Sequence, residues 1–266
     1  RLADSIRNRI CRLETRVDKK YEQVSKARKD STRAAASLAL ESAVKDLKTA
    51  REALENLFQE SAQEIISGNS SYSEIQLSLV QSKALVQIKE GISKRLPVLL
   101  NGVTGSGKTE IYMKLAQECL EKGKNVLYLV PEIALSRQLE DRLYTHFGER
   151  LLTFHSGETA VTRMNTAEAV RESETLKRNY LLLGTRSALF LPHNKLGLII
   201  VDEEHDNSYK QDSPAPRYNG RDTALMLHRI HGCGIILGSA TPSLEEIYNC
   251  RFGKHHMVLL KERYHG

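Results

Sequence analysis

Residues 102–109 constrain the fold of this chain more than any other segment. They follow the apolar run Pro97–Leu100 and precede Glu110–Leu120, a run with the residue types of a helix. A glycine-rich turn between a buried strand and a helix lets backbone N–H groups surround phosphate oxygens, and the helix N-terminus adds a positive dipole end. The predicted phosphate-binding residues are Gly102, Val103, Thr104, Gly105, Ser106, Gly107, Lys108 and Thr109. Among them, the Lys108 ammonium is expected to neutralise phosphate charge and the Thr109 hydroxyl to bind Mg²⁺.

A second segment supplies the carboxylates that such a loop needs. The apolar run Leu198–Val201 is followed directly by Asp202 and Glu203. Because open parallel sheets bind ligands at the carboxyl ends of their strands, Asp202 is expected to bind Mg²⁺, directly or through water. Glu203 is expected to orient or deprotonate the water that attacks the terminal phosphate. The two segments together predict a nucleoside triphosphatase.

Short apolar runs separated by amphipathic stretches predict an α/β domain. The runs lack the two-residue alternation of a half-exposed strand, which is typical of parallel strands covered by helices on both faces. They lie at Pro97–Leu100, Asn125–Val130, Leu151–Phe154, Tyr180–Leu183, Leu198–Val201 and Ile235–Leu237. We therefore expect residues 68–266 to form one α/β domain around a mostly parallel sheet.

Residues 1–67 have a different character. They contain neither Gly nor Pro and are rich in Ala, Leu, Glu, Lys and Arg, which favour helix. Apolar residues recur at spacings of mostly three and four, which indicates a narrow stripe that needs a partner. The stripe consists of Ile6, Ile10, Leu13, Val17, Tyr21, Val24, Leu40, Val44, Leu47, Leu54, Leu57 and Ile65. Its interruption at Lys29–Thr32, where N-cap residue types occur, predicts an antiparallel helical hairpin.

The predicted hairpin carries many charges. Its Lys and Arg residues are interleaved along the sequence with Asp and Glu, so a solvated helix face explains them better than a DNA-binding stripe does. A spacer or packing element is the expected role. The small polar residues Ser67–Ser71 then indicate a linker before the α/β domain.

Composition limits the function less than the motifs do. Lys and Arg number 39 against 33 Asp and Glu, and a formal charge of +6 permits a nucleic-acid partner without requiring one. No stretch approaches the roughly 20 apolar residues of a membrane span, and no export signal is present, so we expect a cytoplasmic protein without a membrane partner. Four widely separated cysteines predict reduced thiols rather than a metal site. A start at Arg and an end without a stop pattern suggest part of a longer polypeptide.

Two further motifs resemble those of superfamily 2 helicases and translocases, which are built on RecA-like lobes. Asp-Glu-Glu-His at residues 202–205 resembles the DEAH form of motif II, and Gly-Ser-Ala-Thr at 238–241 resembles motif III. In such enzymes the hydroxyls of motif III link the nucleotide site to the nucleic-acid track. The resemblance therefore implies a coupling role for His205, Ser239 and Thr241.

Longer segments resemble the PriA family of bacterial replication-restart helicases. They include Leu129–Leu135, Gly184–Phe190 and Asp202–Gln211, and the resemblance extends from about Leu77 to Tyr264. It implies an ATP- and Mg²⁺-dependent 3′ to 5′ DNA helicase that acts on single-stranded and forked DNA, with primosome proteins and single-stranded-DNA-binding protein as partners. The family's second lobe, arginine finger and zinc sites are not in this chain. Zinc is therefore expected only in the missing part of the parent protein, and the isolated chain should hydrolyse ATP poorly.

The same resemblance implies roles for individual residues. Gln81 would read the adenine base. Residues 131–138 and 184–187 would follow the backbone of single-stranded DNA, and an aromatic-rich loop at residues 206–222 would sense DNA. The implied DNA-binding or coupling residues are Pro131, Arg137, Gln138, His155, Thr185, Arg186, Ser187, Tyr209, Lys210, Gln211, Arg217 and Tyr218. Contacts to phosphates rather than bases suit an enzyme that moves over any sequence.

Two other functions are compatible with the sequence. A superfamily 2 translocase of another kind, such as a restriction-type motor, would share these motifs. A nucleotide-gated scaffold, in which the hairpin recruits a partner, would hydrolyse ATP only incidentally. The chain also departs from the PriA family, because residues 158–179 lack the usual Trp and Gly and the hairpin has no winged-helix pattern.

Overall fold

The computed structural model describes residues 2–26, 30–66, 75–213 and 215–261, with side chains except at residues 2–8, 11, 26, 30–33 and 54–66. The predicted linker at residues 67–71 and Pro214 of the predicted aromatic-rich loop lie outside the described residues. The chain divides into two compact units. One contains residues 1–71 with 160–165, and the other contains residues 72–159 with 166–266.

The first unit contains two long helices, α1 (Leu2–Lys26) and α2 (Asp30–Ile66). Arg51 of α2 is ion-paired with Glu14 of α1 at 2.7 Å, and Arg16 of α1 lies 3.9 Å from Asp46. Arg16, which follows Glu14 in α1, therefore contacts Asp46, which precedes Arg51 in α2. This order confirms the predicted antiparallel hairpin.

The contact line of the hairpin differs in part from the predicted apolar stripe. Ala43 and Ala50 of α2 are buried, whereas Val44 is 47% exposed and Tyr21 of α1 is 68% exposed. The two alanines are seven residues apart, which is the repeat of a coiled-coil seam. The stripe prediction was wrong for Val44 and Tyr21 because it gave large apolar side chains more weight than alanine. The stripe side chains outside the described part are Ile6, Leu54, Leu57 and Ile65.

The α/β part of the chain is built on a seven-stranded sheet whose strands are all parallel to their neighbours. The elements after the hairpin are α3 (Leu79–Ser93), β1 (Val98–Gly102), α4 (Lys108–Glu121), β2 (Asn125–Leu129), α5 (Arg137–Phe147), β3 (Leu151–Phe154), α6 (Ala160–Glu172), β4 (Leu181–Gly184), β5 (Leu196–Val201), β6 (Lys210–Gln211), β7 (Tyr218–Asn219), α7 (Gly220–His231), β8 (Gly234–Ser239), α8 (Leu244–Arg251) and β9 (His256–Leu260). The strand order in the sheet is β3-β4-β2-β5-β8-β1-β9. This architecture confirms the predicted RecA-like α/β lobe preceded by a helical hairpin.

All the predicted strands are present, but the prediction missed β9, which pairs with β1 at one edge of the sheet. Val258 and Leu260 are buried, whereas Met257 and Leu259 are exposed. This edge strand therefore alternates, unlike the continuous apolar runs on which the prediction relied. The prediction also missed β6 and β7, an antiparallel pair of two-residue strands that is too short for a periodic signal.

Helices cover both faces of the sheet, which explains the continuous apolar runs. Leu127 and Ile199 pack into one core cluster, while their chain neighbours Tyr128 and Ile200 pack into the other. Because the strands are parallel, the segments after β1, β2, β4, β5 and β8 meet at one edge of the sheet. Within the described ranges, no helix is both long enough and apolar enough to cross a membrane.

Candidate nucleotide-binding site

The loop between β1 and α4 borders a cavity of about 360 Å³ at the carboxyl edge of the sheet. Gly105 and Gly107 have φ angles of 77° and 79°, a left-handed conformation that favours glycine. The cavity is lined by residues 103–110, Arg142, Asp202 and Glu203. The two segments that were predicted to share a site therefore surround one cavity.

Lys108, the first residue of α4, is buried beside this cavity. Its ammonium donates to the Gly102 carbonyl at 2.9 Å and lies 3.3 Å from Glu203 Oε1. The buried Ser106 Oγ has no hydrogen-bond partner among the residues that the structure describes. Because buried hydroxyls are nearly always hydrogen-bonded, an unpartnered one beside a cavity calls for a polar ligand. The glycine turn, the ammonium and this hydroxyl together fit a polyphosphate.

Asp202, directly after β5, is surrounded by neutral hydrogen-bond donors. The Tyr112 hydroxyl donates to Oδ1 at 3.2 Å and the Tyr128 hydroxyl to Oδ2 at 3.5 Å. Thr109 also interacts with the Tyr128 side chain, so one tyrosine lies near both predicted Mg²⁺ ligands. Burial, followed by the charge of Glu203, raises the pKa of Asp202 to about 6, while Lys108 opposes the shift. A carboxylate this poorly solvated gains more than a surface carboxylate does from a nearby cation.

Glu203 has a backbone conformation that is uncommon for a residue with a side chain. Its φ is 45°, in the left-handed region that costs an ordinary residue about 1–2 kcal/mol. The side chain lies between Lys108 and His205, with Oε2 3.7 Å from His205 Nδ1. Strained residues of this kind are concentrated at functional sites. The strand end therefore directs the Glu203 carboxylate toward the cavity at an energetic cost.

His205 connects this strand end with the segment after β8. Its Nδ1 is hydrogen-bonded to Ser239 Oγ at 2.7 Å and its Nε2 to Thr241 Oγ1 at 3.1 Å. The Thr241 N–H also donates to Ser239 Oγ at 3.1 Å. Both ring nitrogens of His205 are therefore engaged by the hydroxyls that were predicted to couple with it.

Gln81 lies against the phosphate loop rather than in the cavity lining. Its side chain is 1% exposed, accepts from the Ser78 N–H at 2.8 Å and donates to the Gly107 carbonyl at 3.2 Å. The first bond belongs to a capping box that begins α3. A Cβ at residue 107 would lie 2.1 Å from Gln81 Nε2, so this contact also requires glycine there. Adenine reading by Gln81 stays a prediction, and support of the loop is what its contacts indicate.

The predicted DNA-binding segments lie at the same edge of the sheet. Residues 131–138 follow β2 and residues 184–187 end and follow β4, the strand next to β2. Pro131 and Thr185 are buried. Of the predicted DNA-binding residues in these segments, Arg137, Gln138 and Ser187 have exposed side chains that can make contact.

Two residues of the predicted DNA-binding set have contacts that are structural. The Arg186 guanidinium donates through Nη1 to the carbonyls of Ser208 at 2.7 Å and Lys210 at 3.0 Å. Tyr209 is 1% exposed, and its hydroxyl donates to the Asp202 carbonyl at 2.8 Å. A ring buried in this way cannot reach a nucleic acid, so of the two roles implied for Tyr209, DNA binding or coupling, its position permits coupling.

The rest of the aromatic-rich loop is more accessible. Lys210 and Arg217 are exposed, and Gln211 is partly exposed and donates to the Pro216 carbonyl at 3.1 Å. The half-buried Tyr218 packs edge-on against the exposed Phe190, with ring centroids 4.9 Å apart. Lys210, Gln211, Arg217 and Tyr218 are therefore the predicted DNA-binding residues of this loop that are accessible to a nucleic acid.

This difference between the two tyrosines can be tested by measuring stability and DNA binding together. Tyr209→Phe should lower the free energy of unfolding by about 1–2 kcal/mol, because a buried hydrogen bond to the Asp202 carbonyl is lost. Tyr218→Ala should change stability less and should weaken binding of a labelled single-stranded DNA. An unchanged denaturation midpoint for Tyr209→Phe would contradict the structural role of Tyr209.

His155 follows β3 and faces carboxylates. Its Nδ1 accepts from the Gly157 N–H at 3.2 Å, while its Nε2 lies 3.6 Å from Glu140 and 3.8 Å from Glu158. Two acidic neighbours repel a phosphate, so this placement does not favour the predicted DNA contact. A role in holding the β3–α6 connection fits these contacts better.

Comparison with known proteins identifies the family. The family model described as DEAD/DEAH box helicase matches residues 78–250, which is more than half of the chain. The chain belongs to the DEAD/DEAH box helicase family. It is 42% identical to the replication restart protein PriA of Rickettsia felis over 198 residues, 74% of this chain and 29% of that protein. It is also 42% identical to PriA of Bacillus subtilis over 62% of this chain and 20% of that protein, and 47% identical to PriA of Synechocystis over 56% and 17%. The chain thus spans less than a third of the length of these relatives.

Glu204, the third residue of motif II, was not assigned a role from the sequence. Its buried side chain accepts from the Ser243 N–H at 2.7 Å and from Arg221 Nη1 at 3.2 Å. Arg221 Nη1 also donates to Ser243 Oγ at 2.9 Å. Glu204 therefore joins motif II to the starts of α7 and α8. No local signal distinguishes it from Glu203, because only the direction of the side chain separates the two.

Arg142 of α5 was also missed. It lines the cavity and is ion-paired with Glu110 in the first turn of α4. In sequence it is one Arg within a polar helix, and only folding brings it beside the phosphate loop. It adds a third element, α5, to those that line the cavity with charged side chains.

Proposed function

We propose that this chain is the ATP-binding lobe of a 3′ to 5′ DNA helicase of replication restart, with residues 68–266 forming the lobe and residues 1–67 an accessory hairpin. The observation that supports it most is that Lys108, Asp202 and Glu203 border one cavity, in a chain of the DEAD/DEAH box helicase family. Similarity to PriA proteins supports the restart assignment. Single-stranded and forked DNA, primosome proteins and single-stranded-DNA-binding protein are the proposed partners, and the cytoplasm is the proposed location.

The residues around the cavity suit hydrolysis of ATP. Loop N–H groups and the Lys108 ammonium would bind the β- and γ-phosphates, and Thr109 and Asp202 would hold Mg²⁺. The ion, when bound, neutralises phosphate charge. Glu203 would accept a proton from the attacking water or orient it, so that a bond forms to the γ-phosphorus as the bond to the bridging oxygen breaks.

Coupling to DNA is proposed through the bonded segments at the same edge of the sheet. His205 links motif II to Ser239 and Thr241, and Arg186 holds the carbonyls of the segment that begins the aromatic-rich loop. If a DNA phosphate displaced Ser239 or Thr241, His205 would move, and its ring lies 3.7 Å from Glu203. If it displaced Arg186, the segment with Tyr209 would move, and the Tyr209 hydroxyl donates to the Asp202 carbonyl. Such contacts carry no base specificity, which suits movement along any sequence.

The decisive experiment measures ATP turnover and unwinding by the natural full-length protein, with and without forked DNA that carries a leading-strand 3′ end. Forked DNA should raise turnover and be unwound, and Lys108→Ala should abolish both. Translocation along duplex DNA without unwinding would instead indicate a restriction-type motor. Retention of a bound partner by Lys108→Ala, together with turnover that DNA does not affect in the wild type, would indicate a scaffold.

A further inference from the structure

The charges of α1 are interleaved in sequence but separated on the folded helix. At about 100° per residue, Arg9, Arg12, Arg16, Lys19 and Lys20 fall within an arc of about 100°. We call these five residues the basic face. Over the same stretch the acidic residues Glu14, Asp18 and Glu22 fall in a separate arc centred roughly 150° away. The half-buried Leu13 and Val17 lie between the two arcs on one side of the helix.

The basic face is exposed and weakly compensated. Arg9, Arg12, Arg16 and Lys19 are exposed, and Lys20 is partly exposed. Lys20 donates to the neutral Gln23 at 3.2 Å. The carboxylate that approaches Arg16 is Asp46, at 3.9 Å with both side chains at least half exposed, an arrangement that contributes little. Glu14, which belongs to the acidic arc, is ion-paired with Arg51 of α2 at 2.7 Å rather than with a residue of the basic face.

We propose that the basic face binds the phosphate backbone of a nucleic acid. The five cations extend over about 16 Å of helix, a length along which one strand of a duplex presents roughly five phosphates. A row of exposed cations that matches a row of phosphates in length, with one weak carboxylate contact among the described side chains, is the electrostatic footprint of a backbone-binding surface.

An acidic protein is the less favoured partner. Stable protein interfaces are centred on buried apolar or aromatic side chains. The basic face contains none, since Leu13 and Val17 turn toward the hairpin contact and Tyr21 lies beyond them toward the acidic arc. Phosphate binding needs only the cations. The proposal concerns the hairpin alone and does not depend on the proposed helicase activity.

The test compares two double variants of the same 266-residue chain. Arg12→Ala/Lys19→Ala removes two charges from the basic face, and Lys45→Ala/Lys48→Ala removes two exposed charges from α2. Neither pair touches the nucleotide cavity. Binding of a labelled DNA duplex is measured between about 50 and about 200 mM salt. Circular dichroism and thermal midpoints verify that both variants keep the helical content of the wild type.

The proposal predicts about a tenfold loss of affinity at low salt for Arg12→Ala/Lys19→Ala, with the salt slope reduced by about 2, and at most a small change for Lys45→Ala/Lys48→Ala. Equal losses in the two variants would indicate a net-charge effect and overturn it. No loss in either would also overturn it. Competition by poly-glutamate as strong as that by unlabelled DNA would assign the face to acidic proteins instead. Because ATP turnover is a separate measurement, a failure here differs from a failure of the helicase proposal.

Discussion

In the natural full-length protein, Glu203→Gln is expected to lower the proposed DNA-stimulated ATP turnover by about 10²–10⁴-fold while leaving ATP binding nearly intact. The substitution keeps the shape of a side chain that lies 3.3 Å from Lys108 and 3.7 Å from His205, but it removes the basic oxygen. General-base or water-orienting groups contribute rate enhancements of this size. Phosphate binding depends on the loop amides and Lys108, which the substitution does not change.

The measurement is single-turnover hydrolysis together with the affinity for an ATP analogue. Lys108→Ala serves as the contrasting variant, because it should weaken binding itself. A second reference is Glu110→Gln, which changes a cavity-lining carboxylate that is already ion-paired with Arg142. Turnover of Glu203→Gln within about threefold of the wild type would exclude Glu203 as the catalytic carboxylate, since that loss is far below a base's contribution.

The fold and the centre of this site were accessible from the sequence because each depends on local patterns. Residues 102–109 require a particular backbone turn, and Asp202 follows an apolar run that is typical of a buried parallel strand. Parallel strands then place both segments at one edge without further information. These patterns predict the structure well because the conformations of the phosphate-binding turn and of the strand end are determined by residues that are neighbours in the chain.

What the sequence could not indicate is the direction in which side chains point. Tyr209 occurs in a loop rich in aromatic residues, yet its ring is in the core and its hydroxyl bonds the Asp202 carbonyl. Arg186 occurs in a segment that resembles a DNA-binding motif, yet its guanidinium is bonded to two carbonyls. Loop conformation, which has no periodic signal, decides both cases. On α1 the structure instead brings together what the sequence separates. Basic residues that are interleaved with acidic ones along the sequence form one basic face on the helix.

Substitution of Glu204, the neighbour of Glu203, should lower the stability of the lobe, whereas substitution of Glu203 should lower ATP turnover. Glu204→Ala is expected to lower the free energy of unfolding by about 3–5 kcal/mol, because Arg221 loses the buried partner of its ion pair and keeps only the exposed carboxylate of Asp222. The remaining charge is that of Arg221, whose side chain is 13% exposed. The Ser243 N–H would also lose its acceptor. The thermal midpoint should fall by roughly 6–20 °C for a domain of this size.

Asp222→Ala provides the matched control, because Asp222 bonds the same arginine at 3.0 Å from an exposed position. Its effect should stay below about 1 kcal/mol, as for exposed pairs in general. A double-mutant cycle with Arg221→Met then separates the charge that is left behind from the pair itself. If Arg221→Met restores much of the stability lost in Glu204→Ala, the guanidinium without its buried partner is the cause. Equal midpoints for Glu204→Ala and Asp222→Ala would mean that motif II is not anchored through Glu204.

Nucleotide binding provides a second measurement. Since Glu204 does not line the cavity, folded Glu204→Ala should still bind an ATP analogue. This result would separate Glu204, which supports the lobe, from the adjacent Glu203, which is proposed to act in the chemistry.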